Sequence, residues 1–414
     1  MRQHLKGWNL QQIGEQKKMR GILLQQLADI DSLADSRELL ADEWQKRYDI
    51  ENELENIYHM EAIYWQPRGS YLWILEGDAN TQFFHQHANG RRRKNTIVAL
   101  DTDLGKVQSQ DDIMRHVTDF YKNLFGSKPT CNMRFADSFW HGRQNLSANM
   151  LDALIRPFTE LEVKHDVDEM KSNSAPGPNG FGVQFFKTFW SVIKGDLLAM
   201  FDDFYKGELD IKRLNYGVIT LVPKVKEANN IRQYRPICLL NVDFKVFAKG
   251  LNNRFTPIAE EVIGDNQSGF IKGRSILEEV VILHEVIHEL KTSKKKGLII
   301  KINFEKTYDN VRWNFLEEVM VGRGLPAAWI GWIMQTVQWG KVYVNVNGHR
   351  GPYFRTYQGL RQGDPLSPIL FNLVADALSA FLDKAVQKQR LVGVVPHLIH
   401  GGSHIFIMRM TPSL

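Results

Sequence analysis

The chain is 414 residues long, 43% hydrophobic and 24% charged, and its 52 Lys and Arg against 47 Asp and Glu leave a net charge of +5. This balance is ordinary for a globular protein of two or three folding units, and it permits a polyanionic partner without demanding one. Cys131 and Cys238 fit neither a zinc spacing nor a disulfide frame, Met1 to Lys18 is unlike a secretory signal, and no apolar run is long enough to span a bilayer.

The N-terminal segment, residues 1–64, is rich in Leu, Gln, Glu, Asp and Lys. Leu23, Leu27 and Ile30 fall on one helical face. The pattern predicts a long solvated helix or a helical hairpin, and no function follows from it. Residues 65–149 read as a basic and aromatic linker region. There Trp65, Tyr71, Trp73, Phe83 and Phe84 interleave with Arg68, His85, His87 and the run Arg91, Arg92, Arg93, Lys94. Aromatics can stack on bases and a basic run can neutralise phosphates, which marks Arg91 to Lys94 as candidate nucleic-acid contacts. The same composition also fits a solvated charged loop beside a small aromatic core. Residues 126–149 carry Gly, Ser, Pro and Asn and read as a linker or irregular surface.

From residue 150 to 414, helical and strand-like segments alternate. Gly297 to Phe304 (GLIIKINF) reads as a buried strand. Lys341 to Val346 (KVYVNV) alternates, Asn347-Gly348 supplies a turn, and Tyr353 to Tyr357 extends again, which is a hairpin signal. Leu366 to Val386 is an amphipathic helix opened by Asp364-Pro365. Mixed helices and hairpins give an α+β class.

Four segments carry candidate chemistry, in one order. Ser174 to Phe181 (SAPGPNGF) is a rigid turn by composition. Leu221-Val222-Pro223-Lys224 and Tyr234-Arg235-Pro236-Ile237 are a strand end and a loop with cations. Lys301 to Asp309 (KINFEKTYD) and Gln358 to Pro368 (QGLRQGDPLSP) follow. Taken together they resemble the successive blocks of a plant LINE-type (non-LTR retrotransposon) reverse transcriptase: APGPDGF, PK with YRPI, KxDFxKAYD and GLRQGDPLSP. Asn266 to Ile271 (NQSGFI) is similar to the family's NQSAFI block, and Trp73 to Asn95 to the linker that precedes its polymerase. The resemblance covers most of the chain.

That resemblance implies a right-hand polymerase, with fingers and part of the palm in residues 150–414. The reaction is RNA-templated addition of deoxynucleotides to a primer 3′-OH, with two metal ions held by carboxylates. The partners it implies are an RNA template and a DNA primer, and its cofactor is Mg2+. Lys224 and Arg235 match finger positions aimed at the incoming triphosphate. Tyr308 matches the side chain that excludes a 2′-OH. Gln358, Gly359, Arg361, Gln362 and Gly363 match the block that supports template and nucleotide. The chain is expected to begin inside the family's linker, without the upstream endonuclease, and to stop before most of the thumb.

Two departures remove the family's carboxylates. Position 303 is Asn where the family has a metal-binding Asp. Asn offers one neutral carbonyl oxygen and an NH2 donor that faces away from a cation. Losing that charge is worth several kcal/mol of transition-state stabilisation, at least ~10³-fold in rate. Glu305 lies on the same face of an extended strand, but its longer side chain sets the carboxylate elsewhere. The second departure is Ser403 to Leu414 (SHIFIMRMTPSL), which stands where the family has a YADD block and holds no Asp.

Codon arithmetic accounts for it. Joining the third base of one codon to the first two of the next, Met410 into Thr411 forces GAC, an Asp. Arg409 into Met410 gives a second Asp if its codon is CGG. Met408 into Arg409 then gives Ala, and Ile407 into Met408 gives Tyr if its codon is ATT. Thr411 through Leu414 can give Thr, Ile and Leu, so codons exist for which the shifted frame spells YADDTIL, and a frameshift just after Gly402 is expected.

The reading is therefore a reverse transcriptase domain without polymerase activity, needing no cofactor as it stands. The alternatives are a non-catalytic RNA- or DNA-binding protein, or a chain that does not fold stably. Neither a membrane nor a disulfide partner is expected.

Overall fold

A computed structural model describes residues 2–69, 89–90, 92–126, 134–140, 146–264, 267–271, 273–294, 300 and 306–391. The chain divides into two compact units, Met1–Val98 and Ala99–Leu414. The division falls inside the segment expected as linker.

In the first unit, α1 (Arg2–Ser36) and α2 (Ala41–Gly69) form a helical hairpin, the second of the two arrangements expected from the sequence. Leu23, Ile30, Ile50 and Leu54 make its core, with Leu27, Leu39, Ile57 and Tyr58 packed around them. Arg37 grips Glu43 with two hydrogen bonds of 2.6 and 2.8 Å across the turn, and Arg20 meets Glu61 at 3.0 Å farther along.

The second unit is α+β. It opens with the antiparallel pair β1 (Leu100–Thr102) and β2 (Gly105–Val107), then α3 (Gln110–Gly126). Ile113, Val117, Tyr121 and Phe125, spaced four apart, bury one stripe of α3. Four helices follow, α4 (Ala148–Ile155), α5 (Glu160–Glu169), α6 (Val183–Thr188) and α7 (Trp190–Lys206). Ser147 and Thr159 cap α4 and α5 by accepting from the backbone N–H groups of Met150 and Glu162.

Strands β3 (Tyr216–Pro223) and β4 (Tyr234–Leu240) are antiparallel, and α8 (Val242–Phe255) returns beneath them. Then come α9 (Ala259–Val262), α10 (Ile276–Thr292), α11 (Trp313–Gly322) and α12 (Ala327–Val337). β5 (Lys341–Val346) pairs parallel with β3 and antiparallel with β6 (His349–Arg350) and β7 (Phe354–Arg355), and α13 (Ser367–Gln387) follows. The sheet order is β4-β3-β5-β6. Pro236 sits on the edge strand β4, where its missing N–H costs no ladder bond. Asn347 and Gly348 both have positive φ, 54° and 86°, as a two-residue hairpin turn requires.

Aromatic packing holds the helices together. Phe201 stacks on Phe247 at 4.1 Å, and Arg254 is buried beside them. Its guanidinium binds Glu162 at 2.6 and 2.9 Å and the carbonyls of Leu154, Arg156 and Pro157. The stretch 126–149 departs from expectation where it is described. Asp137–Trp140 forms a helical turn, and Phe139 and Trp140 are buried. The cause is aromatic: Phe135 packs against Phe315 and Phe381 of α11 and α13, a contact that a Gly/Pro/Ser count does not register. The strand expected at 297–304 lies, apart from Ile300, outside the described residues.

Candidate functional site

The β3–β4 hairpin sets the site's cations. Its register places Val222 opposite Arg235 and Pro223 opposite Tyr234, so Lys224 and Arg235 emerge at one end. The connection is rigid. Asn230 accepts from the N–H of Arg232 at 3.0 Å, and the Gln233 side chain accepts from Asn229 and Asn230 at 2.9 and 3.2 Å. Lys224 is tied in by its own N–H to Gln233 at 2.8 Å and by its Nζ to the Arg232 carbonyl at 3.0 Å.

The segment Gln358 to Asp364 is threaded between this hairpin and residues 308–313. The N–H of Gly359 donates to Val311 at 2.8 Å, that of Leu360 to Tyr308 at 2.7 Å, and the Trp313 indole to Gly359 at 2.9 Å. Cys238 of β4 donates its N–H to the Gln362 carbonyl at 2.7 Å. Gly363 has φ +106°, and a Cβ there would stand 2.7 Å from the Cys238 oxygen, so only glycine fits. Gln358 donates its amide to the Leu124 carbonyl at 2.8 Å. The Arg361 guanidinium points inward. It binds the Thr336 carbonyl at 3.0 Å, Asp364 at 3.1 Å and the Asn215 amide oxygen, and lies 4.7 Å from the Phe244 ring.

Between hairpin and loop opens a cleft, lined among others by Lys224, Arg232, Arg235, Lys306, Asp309, Tyr121 and Gln362. An adjoining cavity shares Asp309 and Gln362 and reaches the inner sheet face at Ile219, Cys238 and Val342. Asp309 is buried, and burial pushes its carboxyl up to about 7 against the pull of Gln362 at 3.4 Å and of Lys306 and Lys224. Burial also raises the phenols of Tyr121 and Tyr308. Tyr308 packs its ring 5.3 Å from Phe371. Lys306 adopts a left-handed backbone, φ +50°, with Nζ 4.5 Å above Phe120.

The structure thus brings Lys224, Arg235, Tyr308, Gln358, Gly359, Arg361, Gln362 and Gly363 into one neighbourhood, with Arg361 lining the adjoining cavity while its guanidinium is held by Asn215, Thr336 and Asp364. Asn303, Glu305 and Arg91 lie outside the described residues. Arg92, Arg93 and Lys94 are exposed on a short helical stretch of the first unit. The SAPGPNGF turn is pinned to the end of β4, the Asn179 N–H donating to Asn241 at 3.0 Å and the Asn179 side chain accepting from Phe181 at 3.0 Å. Among the lining residues, Phe120, Tyr121, Leu124, Ile231 and Arg232 were not singled out by sequence reasoning, and Lys306 was given no role within its motif. Tyr121 belongs to the apolar four-residue stripe of α3, which gives no sign of facing a cavity.

The cavity's described lining suits an anion better than a divalent cation. It offers four cations, Lys224, Arg232, Arg235 and Lys306, and its one carboxyl, Asp309, is biased towards its neutral form. Among the described residues no group of three His, Cys, Asp or Glu side chains could hold a metal. Nor is any described helix long and apolar enough to cross a membrane. Cys238 is a buried free thiol, which burial pushes up to about 11.

Residues 222–396 match the model of the reverse transcriptase (RNA-dependent DNA polymerase) family. The chain is similar to the transposon TX1 uncharacterized 149 kDa protein of Xenopus laevis, at 26% identity over 80% of its own length and 25% of that protein. It is also similar to the retrovirus-related Pol polyprotein of the type-1 retrotransposable element R2 of Nasonia vitripennis, at 31% identity over 54% of the chain and 21% of the polyprotein. The R2DM polyprotein of Drosophila melanogaster matches at 25% identity over 55% and 21%. The chain therefore spans a quarter or less of the length of these relatives.

Proposed function

We propose, from the premise that residues 222–396 are a reverse transcriptase domain of the non-LTR retrotransposon type, that the cation-lined cavity binds a nucleoside triphosphate or polynucleotide phosphate but that the chain does not polymerise. β3 and β4 would be fingers, and residues 306–391 with their sheet part of the palm. The wording of the GLRQGDPLSP and linker blocks supports placing it in the plant LINE branch.

The observation that carries the reading is the Asn at position 303, where the family's motif has a metal-binding Asp. A neutral amide cannot supply the charge that holds a divalent cation over a primer end. Mg2+ would supply charge neutralisation at the transferring phosphate if held, but the described lining does not suit it. What the chain's own residues do is electrostatic. Lys224, Arg232, Arg235 and Lys306 attract phosphate, Gln362 shapes the opening with Tyr308 packed nearby on Phe371, and Arg361 braces the loop from inside. The residues SHIFIMRMTPSL fit the same loss through a frameshift, which sequencing codons 403–414 would settle.

Primer extension on a homopolymer template is expected to give background incorporation, and clear Mg2+-dependent incorporation would refute inactivity. A second reading, a non-catalytic nucleic-acid binder, is favoured by the four cations around the cavity. Polynucleotide affinity should fall steeply with salt, and affinity indifferent to salt would exclude it.

A further inference from the structure

The face of the sheet turned away from the cavity carries side chains that the proposed nucleotide site does not use. Ile219, Val342 and Val344 are buried on the inner face. Alternation leaves Tyr216, Lys341 and Tyr343 half-buried on the opposite one. Tyr216 and Lys341 are direct register partners, with Tyr343 two residues further along β5. Tyr353, 39% exposed, joins them from the β6–β7 connection, edge-on to Tyr216 at 5.7 Å and to Tyr343 at 4.9 Å.

Cations sit on these rings. The exposed Arg350 guanidinium lies 4.7 Å from Tyr343 and 4.5 Å from Tyr353, and Lys341 Nζ lies 5.6 Å from Tyr216. At the entry to β5, Lys212 stands 5.0 Å over Trp339, which is 42% exposed and holds a left-handed backbone, φ +64°. The sequence from Val319 to Gly363 contains no Asp or Glu, so β5, β6 and β7 bring cations and no carboxylate to this face.

Exposed aromatic rings interleaved with unneutralised cations suit a polyanion that also presents flat apolar faces. A duplex hides its base faces in the stack, whereas a single strand can lay them on tyrosine and tryptophan. We infer that this outer sheet face is a binding surface for single-stranded polynucleotide, separate from the cavity: bases stack on Tyr353, Tyr343 and Trp339 while Arg350, Lys341 and Lys212 neutralise phosphates. The inference goes beyond the nucleotide cavity and does not depend on it.

The test uses the full chain with fluorescein-labelled 12-nucleotide oligouridine and oligothymidine, read by fluorescence anisotropy. Tyr343→Ala with Tyr353→Ala is expected to weaken binding of at least one strand tenfold or more, and Tyr343→Phe with Tyr353→Phe to restore it within twofold. Arg350→Ala should lower the slope of log affinity against log salt by about one. The strand that loses more affinity identifies RNA or DNA as the ligand. If the double alanine variant does not melt cooperatively, Tyr353→Ala alone, at an exposed position, stands in with a threefold or greater expected loss. A variant that melts like the parent and binds both oligonucleotides with unchanged affinity would overturn the proposal, and so would a docking face for another protein that ignores both strands.

Discussion

Gly359 lies directly against the main chain of Asp309: a Cβ at Gly359 would stand 2.8 Å from the Asp309 carbonyl oxygen, and φ there is +90°. This approach sets the distance between the Gln358–Asp364 loop and the residues that follow the KINF segment. The cavity that Asp309 and Gln362 share therefore depends on a glycine that touches nothing chemical.

Gly359→Ala is accordingly expected to lower stability by roughly 2–3 kcal/mol, from backbone strain plus the carbonyl clash. In thermal melts followed by circular dichroism this appears as a fall of about 5–10 °C. An unchanged melting temperature would mean that the loop can back away from Asp309 freely.

Arg361 and Lys224 should separate in their effects. The Arg361 guanidinium is enclosed by Asn215, Thr336 and Asp364, so Arg361→Ala leaves buried acceptors and a carboxylate without a partner. A loss of about 3–5 kcal/mol is expected. Arg361→Lys should recover only part of it, because one ammonium cannot reproduce the fork. Urea unfolding curves measure both.

Lys224 is exposed, so Lys224→Ala should move stability by less than about 0.5 kcal/mol while weakening binding of a fluorescent deoxynucleoside triphosphate about tenfold. Equal nucleotide affinity in parent and variant would remove Lys224 from the cavity's function.

Asp309 predicts a pH dependence with a definite sign. Its carboxyl titrates near the ordinary aspartate range when unfolded and is pushed up to about 7 when folded. Its contribution to stability is therefore greatest below about 4 and is lost as pH rises through 7. Asp309→Asn keeps the shape and removes the charge. It should raise the melting temperature by several degrees at pH 8 and leave it nearly unchanged at pH 4. Asp166, buried against Gly250 and likewise pushed up to about 7, titrates in the same window and sets the background slope of the variant. Parallel stability–pH curves for parent and variant would show that Asp309 ionises freely in the fold.

Asn303→Asp by itself is expected to leave primer extension at background, because one carboxylate does not hold two metal ions. Combining it with replacement of residues 403–414 by their frame-shifted reading should bring Mg2+-dependent incorporation above background. Activity in the single variant would show that the acid pair is dispensable.

Which motif residues come together was legible in the order of the motifs. The order of SAPGPNGF, LVPK, YRPI and QGLRQGDPLSP marked Lys224, Arg235 and Gln358 to Gly363, and these residues meet in the fold. Helical periodicity marked the N-terminal hairpin, and Asn347-Gly348 marked the turn after β5, because both are local signals carried by neighbours in the chain.

What the tertiary structure alone decided is direction and burial. Arg361 and Lys224 are both cations in quoted motifs, yet one is enclosed and the other open, since Asn215, Thr336 and Phe244 arrive from distant parts of the chain. Phe139 and Trp140 lie in a stretch whose composition predicts a linker or irregular surface, and they are core, because Phe381 meets Phe139 and Phe135, itself against Phe315, packs on both. The tyrosine and arginine face around Tyr353 exists only once β3 and β5 pair in parallel, 125 residues apart at Tyr216 and Lys341. Local sequence sets dihedral preference and periodicity; which side chains leave water depends on contacts between residues far apart in the chain, and that is settled only by folding.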